Sequence, residues 1–85
     1  MNKETITKIL KNQPISQQEA SEFIVDYCKS EKEIDITAQQ IQGIMQAIQM
    51  GMFNLNYAAR QAANKENMQI VDIIKDNNII ATIVE

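Results

Sequence analysis

The chain has 85 residues, of which 45% are hydrophobic and 22% charged, and its formal net charge is −3. A chain this short forms one domain, predicted over residues 1–85, and buries only ~60–65% of its unfolded surface, so its core is thin. One cysteine and no histidine exclude an internal disulfide and remove the commonest general base and metal ligand.

The first two helices are predicted over residues 3–11 and 17–29. The first ends before Pro14, because the residue that precedes a proline is driven out of the helical region. Ser16 and Glu19 form a capping box at the start of the second. The positions with helical spacing that are predicted to face inward are Ile6, Ile9, Leu10, Ala20, Phe23, Ile24, Tyr27 and Cys28.

The next two helices are predicted over residues 38–50 and from residue 55 to residue 63 or a little beyond. Thr37 begins a second capping box, Gly51 is well placed to end the third helix, and Asn54 is a candidate N-cap of the fourth. Their predicted inward positions are Ile41, Ile44, Met45, Ile48, Leu55, Ala58, Ala59, Ala62 and Ala63. The alanines of the fourth helix allow another helix to approach closely.

A C-terminal β-hairpin is predicted over about residues 68–84. Residues 68–75 and 79–84 are rich in β-branched side chains, and Asp76-Asn77-Asn78 between them supplies turn residues that tolerate positive φ. A fifth short helix over residues 68–75 is the alternative, since Ile70, Val71 and Ile74 also have helical spacing. The predicted fold is mostly α, a small bundle of four short helices followed by the hairpin, in an α+β arrangement whose element order can be that of a winged helix.

Neither chemistry nor membrane insertion is predicted. Cys28 lies on the apolar face of the second helix, no glycine-rich phosphate loop is present, and histidine-dependent nucleophiles are excluded. We therefore expect a protein that is not an enzyme, with no catalytic, cofactor-binding or metal-binding residues and no small-molecule substrate. The start of the chain lacks a secretory signal and the apolar runs are short, which predicts a cytoplasmic location.

An apolar cluster around Gly51 predicts protein binding, because methionine-rich surfaces adapt to partner helices. The predicted protein interface comprises Met50, Met52, Phe53 and Tyr57. Ile79-Ile80-Ala81-Thr82-Ile83-Val84 would be an apolar strand edge without a lysine, and such an edge is covered or used for association. The favoured function is a small cytosolic regulatory protein, an inhibitor or adaptor that binds another protein or forms a homodimer. Its isoleucine, asparagine and lysine content suits an AT-rich bacterium or a bacteriophage.

DNA binding is the alternative function. Residues 36–65 contain no acidic side chain, although an acidic chain repels nucleic acid at long range. In element order the segment from about Thr37 to Val84 resembles winged helix–turn–helix regulators, and Ala58-Ala59 before Arg60 is similar to their small-residue pattern. Under this alternative the side chains that read base edges are Asn56, Arg60, Gln61, Asn64 and Lys65.

A second resemblance covers about residues 9–63. The residues that carry it are Ile15-Ser16, Glu19-Ala20, Gln40-Ile41, Ala47-Ile48-Gln49-Met50-Gly51 and Ala58-Ala59. They look like the small helical domain that precedes the catalytic domain in anthranilate phosphoribosyltransferases and related phosphorylases. In that family this domain helps to form the dimer interface, so the resemblance implies association. The catalytic domain is absent from this chain, so the resemblance implies no activity.

Overall fold

The computed structural model of the protein describes residues 2–85. Over that range the chain forms four α-helices followed by one antiparallel β-hairpin, and the predicted fold class is confirmed. The elements are α1 (Lys3–Leu10), α2 (Gln17–Lys32), α3 (Ala38–Gln49), α4 (Leu55–Lys65), β1 (Ile70–Lys75) and β2 (Asn78–Val84). The alternative of a fifth helix over residues 68–75 is wrong, because this segment pairs with β2 as a strand.

Each helix begins at a side chain that accepts hydrogen bonds from the first-turn amides. The two predicted capping boxes are present at Ser16 and Thr37, and Asn54 caps α4. Asn2, which is not among the predicted caps, accepts from two backbone N–H groups of α1. These caps satisfy amide donors that a helix leaves unpaired at its start, so the helix starts are fixed locally.

Left-handed residues follow the four helices and set where each one ends. Gly51 takes this role after α3, whereas Asn12, Glu33 and Asn67 take it after the other three. Helix α2 continues to Lys32, beyond the predicted end at residue 29. It ends there because Glu33 is left-handed, and the backbone N–H of Glu33 donates to the carbonyl of Cys28. Asparagine is a known left-handed cap, but glutamate is not a residue from which such an end is predicted.

The core lies where α1, α2 and α4 meet. Its buried members are Ile6, Ile9, Leu10, Phe23, Ile24, Tyr27, Cys28, Ala58, Ala59, Ala62 and Ala63. The four alanines form the inward face of α4, and their small volume lets α1 pack closely against this helix. Lys8 of α1 also donates to the Glu19 carboxylate of α2 over 3.1 Å. The inward faces predicted for α1 and α2, and the alanine face of α4, are confirmed.

Helix α3 contains no fully buried side chain. Ile44, Met45 and Ile48, predicted to face inward, are only partly buried against the core. These side chains face the core as predicted, but they are less buried than a core position would be. A helix at the edge of a thin core contacts neighbours on one side alone, and helical spacing in the sequence does not report how many neighbours it will have.

The hairpin closes through a two-residue turn in which Asp76 and Asn77 have φ of 54° and 65°. Positive φ at both positions is the type I′ geometry, whose twist matches that of the flanking strands. Ile80 is the extra residue at a bulge, since Ile73 pairs with Ala81 whereas Ile74 pairs with Ile79. The hairpin packs against the helical core at its base, through Ile70 and Val84.

Candidate interaction surface

The hairpin carries the largest group of exposed aliphatic side chains among residues 2–85. These side chains are 42–65% exposed, and they are Val71, Ile73, Ile74, Ile79, Ile80 and Ile83. Together they leave on the order of 500 Å² of apolar surface in contact with water, divided between the two faces of the hairpin. Exposed apolar side chains grouped in this way mark interaction sites more often than isolated ones do.

The strand register divides the hairpin into two faces. Ile70 pairs with Val84, and this pair points toward the helical core. The next pair, Val71 with Ile83, lies on the opposite face because successive residues of a strand alternate. We call this second face, formed by Val71, Ile73, Ala81 and Ile83, the open face. Each of its residues is exposed.

An ion pair fixes the base of the hairpin on α4. The two terminal guanidinium nitrogens of Arg60 donate to the two carboxylate oxygens of Asp72 over 2.9 and 2.8 Å, and the Thr82 hydroxyl donates to the same carboxylate. These hydrogen bonds stabilise the charged carboxylate and lower the pKa of Asp72. They also raise the pKa of Arg60. The bidentate geometry sets the orientation of β1 relative to the helix.

The four residues of the predicted protein interface do not share one environment. Met50 and Met52 are 72% and 77% exposed, and Tyr57 is also exposed. Phe53, by contrast, is half-buried, and its ring packs edge-to-face on Tyr27 of the core. The turn between α3 and α4 therefore presents two methionines and a tyrosine, and Phe53 anchors that turn to the rest of the molecule.

Most of the predicted DNA-reading side chains are engaged within the molecule. Arg60 is held by Asp72 and also donates to Asn56. Gln61 accepts from the Tyr27 hydroxyl and donates to the Tyr57 hydroxyl.

The remaining cation of that set is Lys65. It donates to Ser30 and forms a 3.4 Å ion pair with Glu31, whereas Asn64 is exposed. Both cations of the set are thus paired with carboxylates, which reduces the positive charge they could offer to phosphates.

An open groove of about 950 Å³ lies between α2 and α3. Ile15, Ala20, Ile41 and Met45 provide its apolar surface, and serine and glutamine side chains complete the lining. No residue that lines it is an acid or a base. The groove therefore supplies no group for acid–base catalysis.

Reactive groups are few elsewhere in the described chain. Cys28 is a buried free thiol, and burial among apolar side chains makes a thiol inert. Within residues 2–85, no three side chains of the metal-ligating types come together. Over the same residues, no helix has both the length and the apolar character needed to cross a membrane.

Comparison with known proteins assigns neither a family nor a function. No protein-family model, no curated protein sequence and no solved structure matches the chain. The two resemblances noted in the sequence therefore gain no support from these comparisons, and functional inference depends on the surface described above.

Proposed function

We propose that the protein is a small non-enzymatic regulatory protein of the cytoplasm that acts by binding a protein, either a foreign partner or a second copy of itself. The observation that carries this proposal is the exposed apolar hairpin. A hairpin of two strands is marginal in water unless its apolar side chains are covered, and here the helices cover only its base. A protein partner supplies the missing cover.

The electrostatics favour a protein partner over DNA. The net charge is −3, and Arg60 and Lys65 are both ion-paired with carboxylates. A specific DNA-binding surface normally offers several unpaired cations to the phosphates. Binding driven by apolar contact needs no such cations, so the paired state of these two residues is compatible with it.

The exposed turn between α3 and α4 is a second contact region under this proposal. Met50, Met52 and Tyr57 project from it, and methionine side chains adapt to varied partner surfaces. They retain the role predicted from the sequence. Phe53 is half-buried with its ring against Tyr27, so it offers less surface to a partner than the two methionines and Tyr57 do.

Affinity purification of tagged variants from the native cell, followed by intact-complex mass measurement, tests the proposal. In the hairpin variant Ile73→Lys with Ile83→Lys, two lysines replace two half-exposed isoleucines of the open face. We expect the wild-type protein to be recovered in a defined complex with a polypeptide, and this variant to be recovered without it.

A control with Ile34→Lys and Gln39→Lys adds the same charge at exposed positions outside the hairpin, and it should retain the complex. A third variant, Met50→Lys with Met52→Lys, measures the contribution of the turn. Recovery of nucleic acid in place of protein, or equal recovery of the complex by the hairpin variant and the control, would contradict the proposal.

A further inference from the structure

Building on the proposed function, we infer that the occupant of the hairpin is a second copy of this chain. The two copies join through their β2 strands, which run antiparallel about a two-fold axis and form one four-stranded sheet. The pairing uses the outer edge of β2, the side that faces away from β1. In the described chain the sheet has only these two strands, so this edge has no strand beside it.

The hydrogen-bond pattern shows which groups of β2 point outward. Gln69 and Glu85 exchange both of their backbone hydrogen bonds. Hydrogen-bonded and non-hydrogen-bonded residue pairs alternate along an antiparallel ladder. Val84 and Thr82 therefore belong to non-hydrogen-bonded pairs with β1, and their backbone N–H and C=O groups face away from β1. Unpaired outward groups of this kind are what a strand needs to accept another strand.

The bulge sets the register of this pairing. Ile80 interrupts the regular ladder, so regular pairing is confined to residues 81–85. Within that segment the backbone groups that point outward belong to Thr82 and Val84. Both residues find an outward-pointing partner on the second copy only when the two-fold axis passes beside Ile83. Thr82 of each copy then pairs with Val84 of the other.

This register joins the two open faces. Ile83 of one copy lies beside Ile83 of the second copy, and each has Val71 on its other side. The result is a continuous row of four apolar side chains across four strands. Pairing gives the hairpin a neighbour along its free edge, and a sheet of more than two strands is more stable than a lone hairpin, although the apolar row itself still faces water.

The absence of charge on β2 favours a second copy over a strand that carries charge. Strand β2 (Asn78–Val84) carries no charged side chain, whereas β1 contains Asp72 and Lys75. Uncharged apolar residues are complementary to themselves, since no like charges are placed opposite one another. Glu85 faces Ala81 of the other copy in this antiparallel register, whereas parallel strands would bring the two Glu85 side chains together.

The ladder is short, so the dimer is weak. Residues 81–85 bury less than the about 800 Å² per partner of a standard interface. We expect a dissociation constant in the micromolar range, about 1–100 µM. The association is therefore measured on the purified full chain over a range of concentrations that spans this interval.

Sedimentation equilibrium and amide hydrogen exchange together test the inference. Wild-type protein should pass from monomer to dimer with rising concentration, and exchange at Thr82 and Val84 should slow in parallel. The Ile83 amide already donates to β1, as the alternation of pairs requires, so its exchange rate should not change with protein concentration. Dimerisation without slower exchange at Thr82 and Val84 would overturn the inference, because the dimer would then use another surface.

Charge variants at the axis provide the matched test. Ile83→Lys and Ile83→Glu should each weaken self-association by about tenfold or more, because like charges face each other at the axis. Their mixture should form a heterodimer in preference to either homodimer. Ile34→Lys is the control that changes charge away from the hairpin and should dimerise like the wild type, and circular dichroism confirms that each variant is folded.

The outcomes separate this inference from the proposed function. If the purified chain stays monomeric while the hairpin variant still loses a foreign protein in the affinity experiment, the second-copy inference is wrong and the proposed function holds. If the chain stays monomeric and no polypeptide is recovered through the hairpin, both fall.

Discussion

The helical part of the molecule and the terminal hairpin solve the problem of apolar burial in opposite ways. In the helices, isoleucines such as Ile6 and Ile24 are 0% and 1% exposed, and alanines of α4 allow the close contact that hides them. In the hairpin, Ile74 and Ile80 are 65% and 60% exposed. Isoleucine thus stabilises the folded chain by burial in the helices, whereas in the hairpin it forms solvent-exposed apolar surface.

This difference shows which region keeps its apolar side chains in contact with water. Helices α1, α2 and α4 are capped at both ends and packed on one another, so most of their large apolar residues are buried. The hairpin is held in shape by its tight turn and by the Arg60–Asp72 ion pair at its base. The turn and the ion pair fix the geometry of the hairpin, whereas its exposed isoleucines contribute little burial energy in the single chain.

The largest expected effect is the contrast between one isoleucine from each region. Ile24→Ala removes a fully buried side chain from the core and should lower the free energy of unfolding by about 2–5 kcal/mol. Ile74→Ala removes an exposed one and should change it by no more than about 0.5 kcal/mol. Urea unfolding followed by circular dichroism, at one protein concentration, measures both. Similar losses for the two variants would show that the hairpin is buried in solution.

A smaller effect is expected from enlarging an alanine. Ala59 is 0% exposed, so Ala59→Leu forces α4 away from its neighbours and should cost about 1–3 kcal/mol. Ala81→Leu makes the same change on the open face and should be near neutral. Thermal unfolding distinguishes them, and an unchanged melting temperature for Ala59→Leu would contradict close packing at α4.

The smallest effect concerns the ion pair, and it depends on pH. The pKa of Asp72 is lowered in the folded protein, so its contribution to stability is present above the unfolded value of about 3.9 and is lost as the pH falls through the lower folded value. Asp72→Asn should therefore destabilise the hairpin at neutral pH and have less effect in acid.

Amide exchange in β1 and β2 measures this change, which should leave the helices unaffected. Asp76→Asn is the matched control, because it removes the charge of an exposed turn residue and asparagine keeps the left-handed turn geometry. If the control accelerated exchange at the base of the hairpin as much as Asp72→Asn does, the ion pair would not be the cause.

Features set by neighbouring residues in the chain were predictable from the sequence. The capping boxes at Ser16 and Thr37, the cap at Asn54 and the hairpin turn all depend on side chains within a few positions of the backbone they bond. The alanine face of α4 followed from spacing alone. The end of α2 did not, because a left-handed glutamate carries no signal in the sequence.

Features set by how elements pack were not predictable. Arg60 was assigned to a free polar face, but it meets Asp72, and that pairing depends on which face of β1 lies against α4. The sequence predicts Phe53 in an interface, but it does not predict the edge-to-face contact between the rings of Phe53 and Tyr27. The exposed hairpin could be suspected from an apolar strand without lysine. The residues of its open face could not be predicted, because they depend on the strand register, which residue spacing in the sequence does not determine.

The bulge at Ile80 has a consequence for how far assembly can proceed. Short uncharged segments rich in isoleucine and valine are the type that stack into fibrils, which grow because every strand offers a flat, regular ladder to the next. A strand bent in its middle does not offer one. Under the proposed pairing, the bulge confines the regular ladder to residues 81–85, which opposes growth into a fibril, and deleting Ile80 would straighten the strand and remove that limit.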